Sequence, residues 1–190
     1  TVYVNGVKMS DPSTPDNSFY FQNIMKDSID RVEILKGNQS SLYGANAIGG
    51  TIHIFTKKGK EGHRSNVSVE GGSNNTKSAY YSVDGANDKI DYYLGLNRFL
   101  TSGISAMNDN GESDQYRNES LNGSFGYKFN ENLRIENSLG YTNSDLNYDA
   151  VSASSTDLVD RSEDILANYS LRVIYDGAKT NNILSYSKLY

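Results

Sequence analysis

Residues 65–190 repeat a two-residue alternation of apolar and polar side chains, interrupted at intervals by turn residues. A period of two places apolar side chains on one face of a β-strand and polar side chains on the other. The pattern therefore predicts seven antiparallel strands. The apolar positions that mark them, in chain order, are Val67 and Val69; Ala79, Tyr81 and Val83; Tyr92, Leu94, Leu96 and Leu100; Leu121, Phe125, Tyr127 and Phe129; Leu133, Ile135, Leu139 and Tyr141; Ala167, Tyr169, Leu171, Val173 and Tyr175; Leu184 and Tyr186.

The connections between these strands favour a membrane barrel, although a soluble β-sandwich would show the same alternation. Outer-membrane barrels have short periplasmic turns, longer outer loops and strands of about 9–11 residues. Aromatic residues beside the short connections are typical of an interfacial girdle. Arg98 and Asn137 fall on the apolar faces without a reason in the pattern. The short connections are Gly71–Thr76, Gly85–Lys89, Asn130–Asn132 and Asp176–Thr180; the long ones are Thr101–Gln115 and Thr142–Asp164; the aromatic residues are Tyr92, Tyr127, Phe129 and Tyr175.

The first 64 residues have a different pattern, which predicts a small α+β module. Residues 1–60 form this predicted module, residues 61–64 a linker, and residues 65–190 the barrel strands. Both prolines lie in the loop, and the segment from residue 57 to residue 64 is polar. The predicted elements are the strand Val2–Val4, the turn Asn5-Gly6, the loop Asp11–Asp16, a short helix Asn23–Asp30, the strand Ile29–Gly37, a helical turn Ser40–Gly44 and the strand Thr51–Thr56.

Composition narrows the class of protein further. The chain has 190 residues, a net charge of −5, 36% hydrophobic residues and no cysteine. An aromatic content of 11% argues against disorder. The absence of cysteine excludes a disulfide scaffold, a Cys-ligated metal site and a thiol nucleophile, and two histidines exclude a His-rich metal site. No 18-residue apolar run is present, which excludes a membrane-spanning helix.

Nothing in the sequence predicts catalysis or nucleic-acid binding. No Ser, His and Asp set has a supporting context, so we predict no catalytic residue and no enzyme. The segment Gly44–Gly50 is not followed by the Gly-Lys-Ser/Thr of a phosphate loop. Basic residues are scattered without interleaved aromatic residues, unlike a nucleic-acid interface.

Seven strands cannot close a wide barrel. Single-chain bacterial barrels have an even number of strands, about eight or more, and an open sheet edge is not viable in lipid. The chain begins and stops within strand patterns. We therefore expect a piece of a longer protein, with a small domain that has trimmed ends as the alternative.

A set of short motifs within Ile29–Lys58 closely resembles the end of the plug domain of TonB-dependent outer-membrane receptors. The segment Val4–Val7 is similar to the strand and turn that precede it in that family, with Asn5 in place of Asp. The motifs are Arg31-Val32-Glu33, Lys36-Gly37, Leu42-Tyr43-Gly44, Ala47-Ile48-Gly49-Gly50 and Ile52-His53-Ile54.

This resemblance implies a plug inside a barrel of about 22 strands in the outer membrane of a Gram-negative bacterium. Residues 65–190 would be the first seven strands, in contact with membrane lipid. The TonB protein would energise import, and its contact segment would lie upstream of residue 1. The resemblance gives a structural role to the motif residues Arg31, Glu33, Gly37, Tyr43, Gly44, Gly49 and Gly50.

The long loops are similar to those of the cobalamin (vitamin B12) receptor branch of this family. The residues that show this similarity are Asn147–Ala150 and Asp160, which lies eleven positions after Asp149. This resemblance implies calcium-ordered outer loops, no organic cofactor, and cobalamin contacts at Thr14, Pro15 and Ala150. Ser105 stands where that branch has Asp, so one calcium position is expected to be weakened or lost. The implied calcium ligands are Asn110, Glu112, Asp114, Tyr148, Asp149 and Asp160.

The charge of the loops agrees with calcium but does not require it. Residues 105–164 hold 12 Asp and Glu against 4 Lys and Arg. Calcium takes about six to eight oxygen ligands, which two acidic loops could supply. A solvated acidic face remains the alternative. The predicted function is import of a bulky, scarce nutrient, with cobalamin first and a ferric siderophore, haem or another cargo second. A β-sandwich binding module, adhesin or enzyme is the alternative from another class.

Overall fold

The computed structural model describes residues 1–9, 19–104, 113–149 and 159–190, with positions 149, 159 and 160 described by their backbone alone. These residues form one four-stranded sheet near the start of the chain and one seven-stranded sheet after it. The predicted fold class, a partial antiparallel barrel preceded by a small α+β module, is confirmed.

The four-stranded sheet forms the small module, and its strand order is β2-β1-β4-β3. β1 pairs antiparallel with β2 and parallel with β4. Asn5 and Gly6 connect β1 to β2 with φ values of 50° and 84°, the positive pair that a tight hairpin needs. The elements are β1 (Val2–Val4), β2 (Val7–Met9), β3 (Ile29–Lys36), α1 (Ser40–Tyr43) and β4 (Gly50–Thr56).

The apolar core of the small module extends onto the large sheet. Its buried centre consists of Val2, Val4, Val7, Met9 and Ile54. Leu166 and Leu189 of the large sheet pack against this centre. The edge strand β2 is therefore covered by the large sheet rather than by solvent.

The prediction of a short helix over Asn23–Asp30 is wrong. Two single 3₁₀ turns, Phe21–Asn23 and Lys26–Ser28, stand there instead, and β3 already begins at Ile29. The Ser28 hydroxyl donates to the Met25 carbonyl at 3.0 Å and closes the second turn locally. Helix nucleation fixes the backbone of several residues in return for one hydrogen bond. A segment this short therefore gains little stability by forming a continuous α-helix. Among the described residues, no helix is long and apolar enough to cross a membrane.

The seven-stranded sheet contains every predicted strand in the predicted order. Each strand pairs antiparallel with the next one along the chain. Its first strand begins at Gly62, so three residues of the predicted linker 61–64 are part of the sheet. An ion pair of 2.6 Å between Arg64 and Asp84 accompanies this pairing. The strands are β5 (Gly62–Gly71), β6 (Lys77–Ala86), β7 (Ile90–Thr101), β8 (Tyr116–Lys128), β9 (Leu133–Asp149), β10 (Val159–Asp176) and β11 (Asn181–Leu189).

Strands β9 and β10 are longer than predicted, with 17 and 18 residues. Much of the predicted loop Thr142–Asp164 is therefore strand. Most of the added residues are polar, and they stay paired because backbone hydrogen bonds do not depend on side-chain polarity. Arg161 and Asp145 lie on facing strands there and form a bidentate ion pair at 2.7 Å.

The large sheet turns its apolar face outward. Val67 and Val69 are 74% and 78% exposed, whereas Ser144 and Ser170, on the face toward the small module, are 2% and 5% exposed. In water this arrangement would be unfavourable, because it leaves apolar side chains exposed to solvent. It suits a wall with lipid on one side and a polar lumen on the other.

The register shows a continuous apolar band on the outward face, which we call the lipid-facing band. Its upper row places Tyr81, Leu96, Leu121 and Tyr141 side by side. Along β8 and the residue after it, the band runs from Leu121 to Phe129, eight residue steps or about 27 Å, which gives a height of about 20 Å at a tilt of about 40°. This height approaches the apolar band of about 25 Å found in outer-membrane barrels.

The two polar residues on this face, which the sequence pattern left without a reason, have different partners. Asn137 lies within the band, and its Oδ1 accepts a hydrogen bond of 2.7 Å from the Tyr169 hydroxyl. Arg98 lies one row above the band and pairs with Glu119 at 3.3 Å. Asn137 is thus satisfied inside the band, and Arg98 lies beyond its edge.

The band predicts a depth-dependent cost of charge. We expect Leu94→Arg, in the middle of the band, to lower the free energy of unfolding by about 2–4 kcal/mol. The matched change Leu100→Arg, two rows above the band, should cost about 0–1 kcal/mol. Guanidinium unfolding of the full-length protein in phospholipid vesicles measures both. Equal costs would contradict the position of the band.

Candidate functional site

The face of the large sheet opposite the lipid-facing band contacts the small module through polar side chains. The upper contacts centre on Asn23, in the first 3₁₀ turn. Its Oδ1 accepts a hydrogen bond of 2.9 Å from the Ser144 hydroxyl, and the adjacent Gln22 carbonyl accepts one of 2.7 Å from the Tyr116 hydroxyl. Asn97 donates to the Asp27 carboxylate at 3.1 Å. The two 3₁₀ turns that replace the predicted helix therefore hold the module against the wall.

This upper contact is not fully bonded. Asn97 Oδ1, Asn118 Oδ1 and Ser120 Oγ are buried and have no hydrogen-bond partner among the described residues. Asn97 and Ser120 are ladder partners, so two of the three atoms lie side by side. A buried polar group without a partner costs about 1–3 kcal/mol.

The lower contact is a cluster of charges around Glu136 on β9, which we call the Glu136 cluster. The Glu136 carboxylate pairs with Arg172 at 2.7 Å, with Arg134 at 3.0 Å and with Lys58 of the small module at 3.0 Å. Arg134 also pairs with Asp91. Lys58 lies two residues after the end of β4, so this cluster holds the segment that joins the module to the barrel wall.

A cavity of about 490 Å³ lies beside the Glu136 cluster, between the module and the wall. The wall contributes small side chains, Ser124, Ser138 and Ser170, from three adjacent strands. The Ser138 and Ser170 hydroxyls are 2.7 Å apart and hydrogen-bonded to each other. The module contributes Asn5, Asp30, Arg31, Phe55, Thr56, Lys58, Gly59 and Lys60.

Gly59 allows the connecting segment to run close to the wall. A Cβ atom there would collide with the backbone of Gly85 and would lie 2.6 Å from the Tyr92 carbonyl oxygen. Only glycine fits without a shift of the segment. The connection between the module and the wall is therefore held by its backbone as well as by Lys58.

Two of the motif residues, Arg31 and Glu33, lie on the exposed face of β3 and pair at 2.8 Å. The Arg31 guanidinium also covers the Phe55 ring at 3.9 Å. On the neighbouring strands, Tyr3 and His53 stack with ring centroids 5.0 Å apart. Burial and the neighbouring Tyr43 raise the pKa of Tyr3 above its usual value. His53 is thus a packed aromatic residue of the module.

The remaining motif residues shape the backbone around α1. Tyr43 ends α1, and Gly37, Gly44 and Gly50 have φ values of 92°, 84° and 133°. At Gly50 a Cβ atom would also collide with the Leu35 carbonyl oxygen. Gly49 precedes β4, and nothing lies within 4 Å of its Cβ position. Gly50 is therefore the position where the motif most clearly requires glycine.

Several predicted ligand residues come together at the outer end of the wall. Tyr148 is the ladder partner of Asp160, and Asp149 follows on the same strand. The Asn147 amide donates to the Gln115 carbonyl at 2.9 Å, which brings the segment of Asp114 alongside. The predicted positions outside the described residues are Thr14, Pro15, Ser105, Asn110, Glu112 and Ala150.

The described part of this outer end does not by itself make a metal site. Among the described residues, no three His, Cys, Asp or Glu side chains come together. Asp149 and Asp160 are known there by their backbone positions alone. The structure thus places four of the predicted calcium ligands at one end of β8, β9 and β10.

Aromatic residues that the sequence did not single out as site residues lie near this outer end. Phe21 of the module is 51% exposed, in the turn whose Gln22 carbonyl accepts from Tyr116. Tyr116 packs against Phe99 with ring centroids 6.0 Å apart. By strand alternation, Tyr148 shares the face of Tyr116 and Phe99. The sequence feature that could have identified these residues is an aromatic side chain on a strand face that is otherwise polar.

Comparison with known proteins agrees with this arrangement. A family model described as TonB-dependent Receptor Plug Domain matches residues 1–51. The rhizobactin receptor of Rhizobium meliloti is 31% identical over 160 residues, which cover 75% of this chain and 21% of that protein. The vitamin B12 transporter BtuB of Vibrio vulnificus is 34% identical over 80 residues, which cover 42% of this chain and 13% of that protein.

A solved structure with the same fold is the siderophore receptor PirA from Acinetobacter baumannii. It superposes with a TM-score of 0.72 at 17% identity, over 98% of this chain and 31% of that receptor. The chain thus spans about a third or less of the proteins it resembles. It belongs to the TonB-dependent receptors, and its predicted location in the bacterial outer membrane is confirmed.

The upper contact predicts that Asn23 controls local opening of the module. Asn23→Ala removes the acceptor of the Ser144 hydroxyl and leaves it buried without a partner, which costs about 1–3 kcal/mol. Amide hydrogen exchange of residues 19–28 in the full-length receptor should accelerate by about 5- to 100-fold. The exposed Asn46→Ala is the matched control and should leave that exchange unchanged. Equal exchange in the two variants would contradict the anchoring role of Asn23.

Proposed function

We propose that this receptor imports a bulky, scarce nutrient across the outer membrane when the TonB protein acts on its plug, with cobalamin as the first candidate cargo. The observation that carries the proposal is a plug that contacts the lipid-facing wall through many polar side chains, beside one apolar contact at Leu166 and Leu189. Such contacts can be exchanged for water when the plug moves, because each group keeps a hydrogen-bonding partner in solution. No covalent chemistry is required of the chain.

The Glu136 cluster supports a reversible connection between plug and wall. If Lys58 leaves, Glu136 keeps Arg134 and Arg172 as partners, so its charge remains compensated. Lys58 is 48% exposed and is readily hydrated. Breaking the Lys58 contact is therefore inexpensive, whereas losing the carboxylate would leave three cations together. The cavity of about 490 Å³ next to it supplies volume into which the plug segment can shift.

The two partners in this contact should have unequal effects. Lys58→Gln should lower stability by about 0–1 kcal/mol, as for an exposed pair, and leave cargo affinity unchanged. Glu136→Gln should cost about 3–5 kcal/mol because the cations lose their common partner. Glu131→Gln, which removes the exposed partner of Lys128 at the neighbouring turn, is the control and should cost about 0–1 kcal/mol.

Unfolding of the three full-length variants in vesicles, together with energised uptake into cells, measures this difference. If Glu136→Gln behaves like Glu131→Gln in both assays, the Glu136 cluster does not hold the plug. Loss of uptake by Glu136→Gln with unchanged cargo binding is the result that the proposed connection requires.

Two observations bear on the cargo. The stretch Asn147–Ala150 with Asp160 favours cobalamin, and the BtuB relative is in line with that choice. The rhizobactin receptor matches twice as many residues, so a siderophore is the second candidate. Exposed aromatic rings at the outer end, Phe21 and Tyr148, suit the flat apolar parts of either cargo. The acidic outer loops oppose an anionic siderophore unless bound cations screen them.

Calcium would serve here by ordering the outer loops. Tyr148 is the ladder partner of Asp160, Asp149 is the next residue on β9, and Asp114 lies in the segment beside them. Asn110 and Glu112 come just before Asp114 in the sequence. Carboxylate, carbonyl and amide oxygens of this kind are the donors that calcium prefers. Ser105 would contribute no carboxylate, which favours fewer or weaker calcium positions than the cobalamin branch has.

A binding experiment tests both parts of this proposal. Full-length receptor is titrated with cobalamin, and separately with a ferric siderophore, in the presence and absence of calcium. Cobalamin binding that calcium strengthens is the expected result. No cobalamin binding in either condition would refute cobalamin as cargo.

The calcium site predicts a matched pair of variants on β9. Asp149→Asn should lower calcium affinity about tenfold or more, as loss of a ligand charge does. Asp145→Asn, four residues earlier, removes a carboxylate that pairs with Arg161 on the outward face, and it should leave calcium affinity unchanged. Calorimetry of calcium binding to the two full-length variants is the measurement. Unchanged affinity in Asp149→Asn would remove Asp149 from the site.

A further inference from the structure

The upper contact between the plug and the wall holds one carboxylate that has no opposite charge beside it. Asp27, in the second 3₁₀ turn, is partly buried and accepts a hydrogen bond of 3.1 Å from the Asn97 amide. It forms no ion pair with any residue that the structure describes. The neighbouring Lys26 pairs instead with Glu70 at 3.8 Å. The lower contact is the reverse, because there three cations surround Glu136.

Three oxygen atoms of the wall near this carboxylate are buried and have no hydrogen-bond partner among the described residues. They are Asn97 Oδ1, Asn118 Oδ1 and Ser120 Oγ, on residues that are 9%, 0% and 7% exposed. Asn97 and Ser120 are ladder partners, and Asn118 lies two residues from Ser120 on the same face of β8. Neighbours of this kind have Cα atoms about 4.5–8 Å apart, so their side chains can reach one ligand.

The hydrogen bonds of the two amides fix which end of each is left without a partner. Asn97 Nδ2 donates to a carboxylate, and Asn118 Nδ2 donates to the Tyr116 hydroxyl at 3.0 Å and to the Asn23 carbonyl at 3.5 Å. A carboxylate and a carbonyl only accept hydrogen bonds, so neither amide can be turned end for end. Both Oδ1 atoms are therefore the ends that remain to bind a ligand.

We propose that Asp27, Asn97, Asn118 and Ser120 together bind a monovalent alkali cation, such as sodium, between the plug and the wall. All of these side chains supply oxygen, the donor atom that hard cations take. One cation would compensate the charge of Asp27 and serve the three unpartnered oxygens at once. The ion would join the second 3₁₀ turn of the plug to β7 and β8 of the wall.

The charge of the cluster selects this class of ligand. A water molecule could bond to the same oxygens, but it would leave the charge of Asp27 without compensation. A divalent cation would leave a net positive charge buried, and calcium takes about six to eight oxygen ligands. Lys57, whose backbone amide bonds to the Ser28 carbonyl, does not supply the missing charge, because its ammonium lies over the Tyr80 ring, 5.5 Å from the ring centroid.

The test follows amide hydrogen exchange of residues 19–28 in the full-length receptor in vesicles, with EGTA present so that calcium does not contribute. Sodium chloride is compared with N-methylglucamine chloride at equal ionic strength, because the larger organic cation does not fit among these side chains. An ion that binds only the closed contact lowers the opening equilibrium by the factor 1 + [Na⁺]/Kd, so exchange should be about tenfold slower when sodium is at about ten times Kd.

Three variants assign the effect to the cluster. Asp27→Asn keeps an acceptor for Asn97 and removes the charge, so its exchange should be the same in the two salts. Asp30→Asn removes the exposed carboxylate that pairs with Arg31 and is the matched control, which should respond to sodium as the native receptor does. Ser120→Ala removes one oxygen ligand with little change in volume, and it should need several times more sodium for the same slowing.

Equal exchange of the native receptor in the two salts would overturn the proposal and assign the three oxygens to water. The same sodium effect in Asp27→Asn and in Asp30→Asn would overturn it as well. If Asp27→Asn does not fold, Ser120→Ala decides the question, because an unchanged sodium requirement in that variant contradicts the site.

Discussion

Backbone hydrogen bonding between neighbouring strands is the constraint on which this structure depends. In lipid an unpaired N–H or C=O group costs several kcal/mol, so a wall in a membrane must pair every strand with its neighbours. In the described part of the chain, each strand from β5 to β11 pairs with the next one along the chain. Because the backbone is satisfied by this pairing, side chains are free to match their surroundings. The outward face can then be apolar and the opposite face polar, and the alternation in the sequence follows.

A polar inner face determines how the plug can be held. Small side chains such as Ser124 and Ser170 leave room between plug and wall, while Asn23 and Glu136 make the contacts that cross the gap. Some buried acceptors, such as Asn118 Oδ1, have no partner among the described residues. An apolar interface of the same area would favour a fixed domain, because its separation would expose the whole surface to water at once. Polar contacts can be replaced one at a time by water, which suits the plug movement that we propose.

The sequence predicts the parts of the fold that have a strong period. The alternation of apolar and polar residues, seen for example around Leu94 and Leu121, predicted all seven wall strands. The motifs between Arg31 and Gly50 indicated the plug. The failures occur where a local pattern competes with tertiary contacts. Asn23–Asp30 contains polar and apolar residues at helical spacing, but Asn23 bonds to the wall and Ser28 closes a single 3₁₀ turn, so neither continues a helix. The sequence did not predict the extension of β9 and β10, because polar residues in a strand have the same composition as residues in a loop. The Glu136 cluster joins residues up to 114 positions apart, Lys58 to Arg172, and no local pattern reveals such a set.

The same pairing constraint explains why one hairpin can carry two unrelated surfaces. β9 and β10 continue past the band with polar residues, and each further residue pair alternates between the lumen face and the outward face. Tyr148 on the lumen face is thus one position from Asn147 on the outward face. A change in the strand register by one residue would exchange these surfaces and place the Arg161 guanidinium toward the cargo side. The bidentate pair of Arg161 with Asp145 joins residues on facing strands and opposes that slip. The backbone ladder between β9 and β10 sets this register, and the surface ion pair adds only a small contribution to it.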